Sequence, residues 1–151
     1  MSIFSSMNTT ASALTAQRLR MDVISSNIAN VDTTRARQVN GEWEPYRRKS
    51  VTLTEDTGQF SSFLSKAMNK EENAGNGVKV TAIRDDNQTP FKLVYNPTHP
   101  DANEDGYVEM PNVDVLTEMV DLISATRSYE ANVTVFNASK SMLTKALEIG
   151  K

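Results

Sequence analysis

The chain has no cysteine. That excludes disulfides, thiolate catalysis and any Cys-ligated zinc or iron–sulfur site. Histidine occurs once, at His99, so a usual transition-metal site has too few ligands. No run approaches 18 consecutive apolar residues, so no segment reads as a bilayer-spanning helix. The opening residues, MSIFSSMNTTASALTAQRLR, lack a basic n-region and a continuous apolar stretch, which argues against a Sec-type signal peptide. A formal net charge of −3 over 151 residues offers no global attraction to nucleic acid or to acidic lipid. There is no G-x-S-x-G elbow, no G-x-x-x-x-G-K-[ST] and no G-x-G-x-x-G, so nucleophilic catalysis and phosphate cradling have no anchor. The residues point to no enzyme and to no cofactor.

The most informative scarcity is local. The first 40 residues contain neither proline nor glycine, and the last 40 contain only Gly150. All five prolines lie between Pro45 and Pro111. Proline removes a helical donor and clashes with the preceding turn, and glycine weakens a helix by roughly 1 kcal/mol. Long helices are therefore permitted at both ends and discouraged between them. Each end segment is also nearly neutral, so neither is a basic arm for nucleic acid.

The C-terminal segment carries a heptad seam. Val115, Met119, Leu122, Thr126, Tyr129, Val133, Phe136, Lys140, Leu143 and Leu147 recur in alternating steps of four and three. Asn112 or Asp114 suits the N-cap, Glu118 and Asp121 suit the positive helix end, and Gly150 suits the stop. Leu116, Val120 and Ile123 widen the stripe over its first half, leaving more apolar surface than one helix can bury. In the N-terminal segment Met7, Leu14, Met21 and Ile28 recur every seven residues, with Ile3, Ile24 and Val31 on a second, partly polar line. Asn27 and Asn30 sit beside it. Mid-helix asparagine is unfavourable unless it caps or bonds across an interface, so these two read either as a C-cap or as inter-helix registry.

Between residues 41 and 111 the period shortens to two. Ser50–Thr54, Val78–Arg84, Phe91–Tyr95 and Gly106–Met110 read as strands, with Trp43 and Tyr46 covering one face of a small sheet. Residues 55–77 read as a flexible insertion holding a short docked helix. The fold class is α+β: long terminal helices packed as a coiled-coil-like stalk, carrying a small antiparallel β module. Residues 1–40 and 112–151 together form the helical domain, and 41–111 the module.

Two features suggest chemistry and do not sustain it. Asp101-Ala-Asn103-Glu-Asp105-Gly106 matches the opening of an EF-hand loop, but its twelfth position is Asn112 and the preceding NPTHP cannot enter as a helix. Asx-type turns explain the run more simply. Arg47-Arg48-Lys49 offers a short basic stretch to phosphate or an acidic partner, and reads more simply as solvated surface.

The run Ala13-Leu-Thr-Ala-Gln-Arg-Leu-Arg-Met-Asp-Val-Ile-Ser-Ser-Asn-Ile-Ala-Asn-Val-Asp-Thr-Thr34 resembles the N-terminal signature of bacterial flagellar axial (rod and hook) proteins. Glu118-Met-Val-Asp121 and Arg127-Ser-Tyr129-Glu-Ala-Asn132 resemble their C-terminal signature. His99–Val108, Pro111–Asp114 and Pro45–Lys49 are closer to the proximal rod members. Arg35-Ala-Arg37 stands where many axial relatives place glycine, which argues against a distal-rod or hook protein.

The resemblance implies a structural subunit without enzymatic activity, exported by the flagellar type III apparatus. It would assemble with other rod proteins and copies of itself into a helical drive shaft in the basal body, in the periplasm or cell-wall zone. Its termini would be largely disordered before assembly. It implies no nucleic acid, small-molecule substrate or membrane insertion. The subunit-interface residues would be Met7, Leu14, Met21, Asn27, Ile28, Asn30, Val115, Met119, Leu122, Arg127, Tyr129, Asn132, Val133, Phe136, Leu143 and Leu147. The competing reading is a soluble cytoplasmic coiled-coil adaptor with helical ends already formed.

Overall fold

A computed structural model describes residues 3–56 and 77–149; the short helix expected within 55–77 falls almost wholly outside them. Among the described residues, two long helices flank six short strands in chain order. Helix α1 runs Ile3–Ala29, and α2 runs Val115–Ile149. Between them lie β1 (Arg37–Val39), β2 (Glu42–Glu44), β3 (Lys49–Glu55), β4 (Val78–Asp85), β5 (Lys92–Tyr95) and β6 (Tyr107–Met110). The α+β class expected from breaker placement is what forms. No described helix is long and apolar enough to cross a membrane.

Helix α1 is rich in Ser and Thr, which usually compete with helical hydrogen bonds. Here Thr9, Thr10 and Thr15 turn their hydroxyls onto the carbonyls four residues back, at 2.8–3.1 Å, so the side chains are satisfied without leaving the helix. Its end is fixed by Asn30, whose Nδ2 donates to the Ser26 carbonyl at 2.8 Å. Helix α2 begins at Asp114, whose Oδ2 accepts from Thr117 Oγ1 at 2.5 Å while its carbonyl takes the Glu118 amide. Of the two N-cap candidates, Asp114 is the one used.

The strands form three separate pairs, not the single small sheet expected. The pair β1–β2 was not expected at all. It turns on Asn40-Gly41, both with positive φ (55° and 95°), in a two-residue loop with Val39 opposite Glu42. Asn-Gly is the favoured sequence for this tight hairpin, because both central residues must adopt left-handed backbone. Trp43 lies in β2 and is exposed, while Tyr46 is buried beside α1, so the two do not share a sheet face. Strand β3 pairs with β4, and β5 with β6 in the register Lys92↔Met110 to Tyr95↔Tyr107. At the base of the β5–β6 loop Gly106 takes φ of 80°, where an added Cβ would stand 3.1 Å from the Tyr95 ring.

The chain divides into two compact units, and both helices run through each. One comprises Arg20–Val51 and Ile83–Ser124. Its buried apolar side chains include Val23, Ile24, Tyr46, Val108 and Val113. The other comprises Met1–Leu19, Thr52–Ala82 and Ala125–Lys151, and its buried described residues are Thr10, Ala16 and Ala125. Beyond Ala125, no described residue of α2 is buried.

Candidate functional site

The first unit is organised around a buried polar cluster rather than an apolar centre. Asn27, near the end of α1, is 1% exposed. Its Nδ2 donates to the Lys49 carbonyl at 2.9 Å and to Glu118 Oε2 at 3.0 Å. Its Oδ1 accepts from the Lys49 amide at 2.9 Å and the Tyr46 hydroxyl at 3.0 Å. Both donors and both lone pairs of the amide are thus engaged. Glu118, in the first turn of α2, is fully buried, and its Oε1 accepts from Arg48 Nε at 2.5 Å. A second carboxylate, Asp121, lies 3.6 Å from Arg48 and 3.3 Å from Arg20 of α1.

Asn112 extends the cluster. Its Oδ1 accepts the Arg48 amide at 2.7 Å, and its Nδ2 donates to the Asp86 and Thr89 carbonyls at 3.0 and 3.1 Å. An isolated carboxylate in a dry interior is prohibitive, so Glu118 is tolerable only because Arg48 and Asn27 both face it. The hydrogen bond to Glu118 is the foremost cause raising the Arg48 guanidinium above its ordinary pKa. This clasp ties α1, the Tyr46–Lys49 segment and α2 at one point. Arg20 meeting Asp121 while Asn27 meets Glu118 sets the two helices antiparallel there.

The clasp also fixes the rotation of α2. With Glu118 turned inward, positions two behind, two ahead and five ahead of it point the other way. Leu116, Val120 and Ile123 are accordingly 73%, 62% and 52% exposed, so this stretch is charged inside and apolar outside. Along the inward line, Glu118 and Ala125 are buried and Leu122, Tyr129, Asn132, Phe136, Ser139 and Leu143 are half-buried. Of the sixteen interface candidates, Asn27 is buried, and Met7, Leu14, Met21, Ile28, Asn30, Leu122, Tyr129, Asn132, Val133, Phe136 and Leu143 are half-buried. Val115, Met119, Arg127 and Leu147 are exposed.

Pattern reading passed over Glu118, Arg48, Tyr46 and Asn112 as members of one site. By sequence pattern Glu118 reads as a charge suited to the helix dipole and Arg48 as part of a solvated run. The available signal is Glu118 itself, the one charge in the run from Val115 to Val120, where four of six residues are apolar. Arg47 does not face solvent alone either: it lies 4.3 Å over the Phe91 ring and donates to Glu44 at 2.6 and 2.9 Å. In the EF-hand-like run, Asp101 accepts from Thr34 Oγ1 at 2.7 Å and from Arg35 Nε at 2.6 Å. Asn103 Oδ1 accepts the Asp105 and Tyr107 amides, an Asx turn. No group of three or more His, Asp or Glu side chains converges on a metal position among the described residues.

Four carboxylates of this unit are held below the ordinary carboxylate range. The causes are hydrogen bonds from Arg37 and Arg47 to Glu44, from Thr89 to Asp86, from Thr34 and Arg35 to Asp101, and from Thr117 to Asp114. Groups with depressed folded pKa values stabilise the fold fully above the unfolded values, and lose that contribution as pH falls through the folded ones. The urea midpoint is therefore expected to stay level from pH 7 to 5 and to fall below about pH 4. Asp114→Asn should flatten that fall. A midpoint that rises on acidification contradicts this assignment.

The two helices also carry the likeness to known proteins. Residues 7–37, which contain Asn27, match the family described as "Flagella basal body rod protein". Residues 104–149, which contain Glu118, match "Flagellar basal body rod FlgEFG protein C-terminal". The flagellar basal-body rod protein FlgC of Bacillus subtilis is 66% identical over 151 residues, covering all of both chains. That of Borreliella burgdorferi is 46% identical over 99% of this chain and 98% of its own, and that of Salmonella typhimurium 41% identical over all of both. With end-to-end identity at this level and both ends of the clasp inside matched segments, the chain belongs to the flagellar basal-body rod protein FlgC family.

Proposed function

We propose how this chain, a structural subunit of the flagellar basal-body rod, does its work: α1 and α2 pack against those of neighbouring subunits to form the rod wall, and torque passes through the interlocked helices. The observation that carries this is the surplus of apolar surface on α2, with no buried described residue beyond Ala125 and with Met142, Leu147 and Ile149 at 67%, 75% and 86% exposed. Exposed apolar stripes of this length mark a surface meant for other chains. Residues 1–40 and 112–151 serve as the shared axial core and 41–111 as the module mounted on it. The interface runs along Met7, Leu14, Met21 and Ile28 of α1 and along Leu122, Tyr129, Val133, Phe136, Leu143 and Leu147 of α2. A head-to-tail contact that does not close generates a helical assembly rather than a discrete oligomer.

The partners are other rod proteins and further copies of the chain, reached after export through the flagellar type III apparatus to the periplasm or cell-wall zone. The helical ends bury too little within one chain to be stable alone, so they gain order as they meet neighbours. The adaptor reading has less support, because the similarity to rod proteins runs the whole length of the chain.

Deletion of residues 140–151 tests the proposal. The described residues among them contribute little to burial within one chain, so the truncated protein should still accumulate in cells. Rods, and with them hooks and filaments, should be absent in electron micrographs of cell envelopes. Cells that keep intact flagella after this deletion refute the role given to α2.

A further inference from the structure

We infer that the outward face of α2 packs antiparallel onto the outward face of α1 in the next copy of the same chain. The inference rests on the rod-subunit reading and assigns one of its contacts to named residues.

On α2 the outward stripe is Leu116, Val120, Ile123, Arg127, Glu130 and Thr134, all exposed. Its first half is the apolar surface that the inward turn of Glu118 leaves uncovered. On α1 the outward stripe is Ala11, Thr15, Arg18, Asp22, Ser25 and Ala29, also all exposed. The two stripes share the same alternation of four and three residues, so each follows a line that drifts only about 20° per heptad around its helix. They differ in bulk: one presents Leu, Val and Ile, and the other presents Ala and Ser at the matching end. Large side chains on one helix seat between small ones on its partner.

Charge selects the occupant and the register. Arg18, Asp22, Arg127 and Glu130 have no ion-pair partner among the described residues. Laid antiparallel with Ala29 beside Val120, the stripes bring Ser25 to Ile123, Asp22 to Arg127 and Arg18 to Glu130. Both pairs are of opposite sign. Sliding α2 by half a heptad sets Arg18 against Arg127 instead, so the charges favour one register. A single chain cannot make this contact, since each stripe points away from its own clasp. Because α1 and α2 run antiparallel at the clasp, copies that keep one polarity along the assembly bring α2 of one antiparallel onto α1 of the next.

Absence of native cysteine makes the test direct. Ser25→Cys and Ile123→Cys are introduced singly and together into cells lacking the native copy, and purified basal bodies are mildly oxidised. The double variant should give covalent dimers and higher multiples of the monomer mass on non-reducing gels. Each single variant should give monomer only, because a head-to-tail contact pairs the two positions with each other and not with themselves. In the double-cysteine background, Arg127→Asp should lower multimer yield and swimming at least several-fold, and adding Asp22→Arg should restore both. Monomer alone in assembled rods, dimers from a single variant, cross-links only to a protein of another mass, or no rescue by the charge swap each overturn the inference. Absence of the chain from basal bodies even without substitutions would instead sink the rod reading itself.

Discussion

Replacing Arg48 by methionine is expected to cost the clasp-bearing unit about 3 kcal/mol, a large share of a typical domain's stability. The side chain of Glu118 is 1% exposed and that of Arg48 29%, so the carboxylate is the deeply buried partner. Methionine fills much of the same volume, and the loss comes from leaving an ionised group in a dry site with only Asn27 to face it. Urea unfolding followed by circular dichroism measures it directly. The companion Glu118→Gln keeps an acceptor for Asn27 and removes the charge. The double variant Arg48→Met/Glu118→Gln should therefore recover more than half of the single variant's loss. Arg48→Lys should fall between, because an ammonium restores the charge without the planar fork that reaches Glu118 and Asp121 together. A single-variant effect under about 1 kcal/mol would place Glu118 in a wetter site than this and would falsify the account of the clasp.

The second large effect concerns assembly rather than folding. Tyr129→Asp or Phe136→Asp is expected to abolish swimming in soft agar and to remove the chain from purified basal bodies. Both side chains are half-buried on the inward line of α2, in a stretch where no described residue is fully covered by its own chain. A carboxylate placed there faces little penalty in the free subunit. It meets a cost on the order of several kcal/mol once a neighbour's apolar surface excludes water from it. The same penalty recurs in every copy. Soluble protein levels should remain near wild type, which separates this outcome from simple misfolding. Normal incorporation of either variant would show that the interface runs along another face.

Much of the fold follows from rules that act within a few residues. The absence of proline and glycine at both ends, with heptad spacing between, is enough to place α1 and α2. Period-two alternation places β3, β4, β5 and β6 within a residue or two. Asn40-Gly41 also carries a short-range hairpin signal, which the reading by helical breakers and strand periodicity does not use, and β1 and β2 are missed with it. The single-sheet expectation failed for a different reason: strand periodicity says which segments are extended but not which segments pair.

The clasp was legible only in fragments. Asn27 stood out as a mid-helix asparagine, and its registry role is the one observed, whereas Asn30 serves as the C-cap. Tyr46, Arg48, Asn112 and Glu118 carried no joint signal, because they lie up to 91 positions from Asn27 and no local spacing relates them. By itself the sequence determined that the ends are helices, that the described part of the middle forms strands, and that α2 has more apolar surface than one chain can cover. Tertiary structure alone decided which side of α2 faces in. The reason is energetic: Glu118 can leave water only where Arg48 and Asn27 converge, and that requirement turns Leu116, Val120 and Ile123 outward.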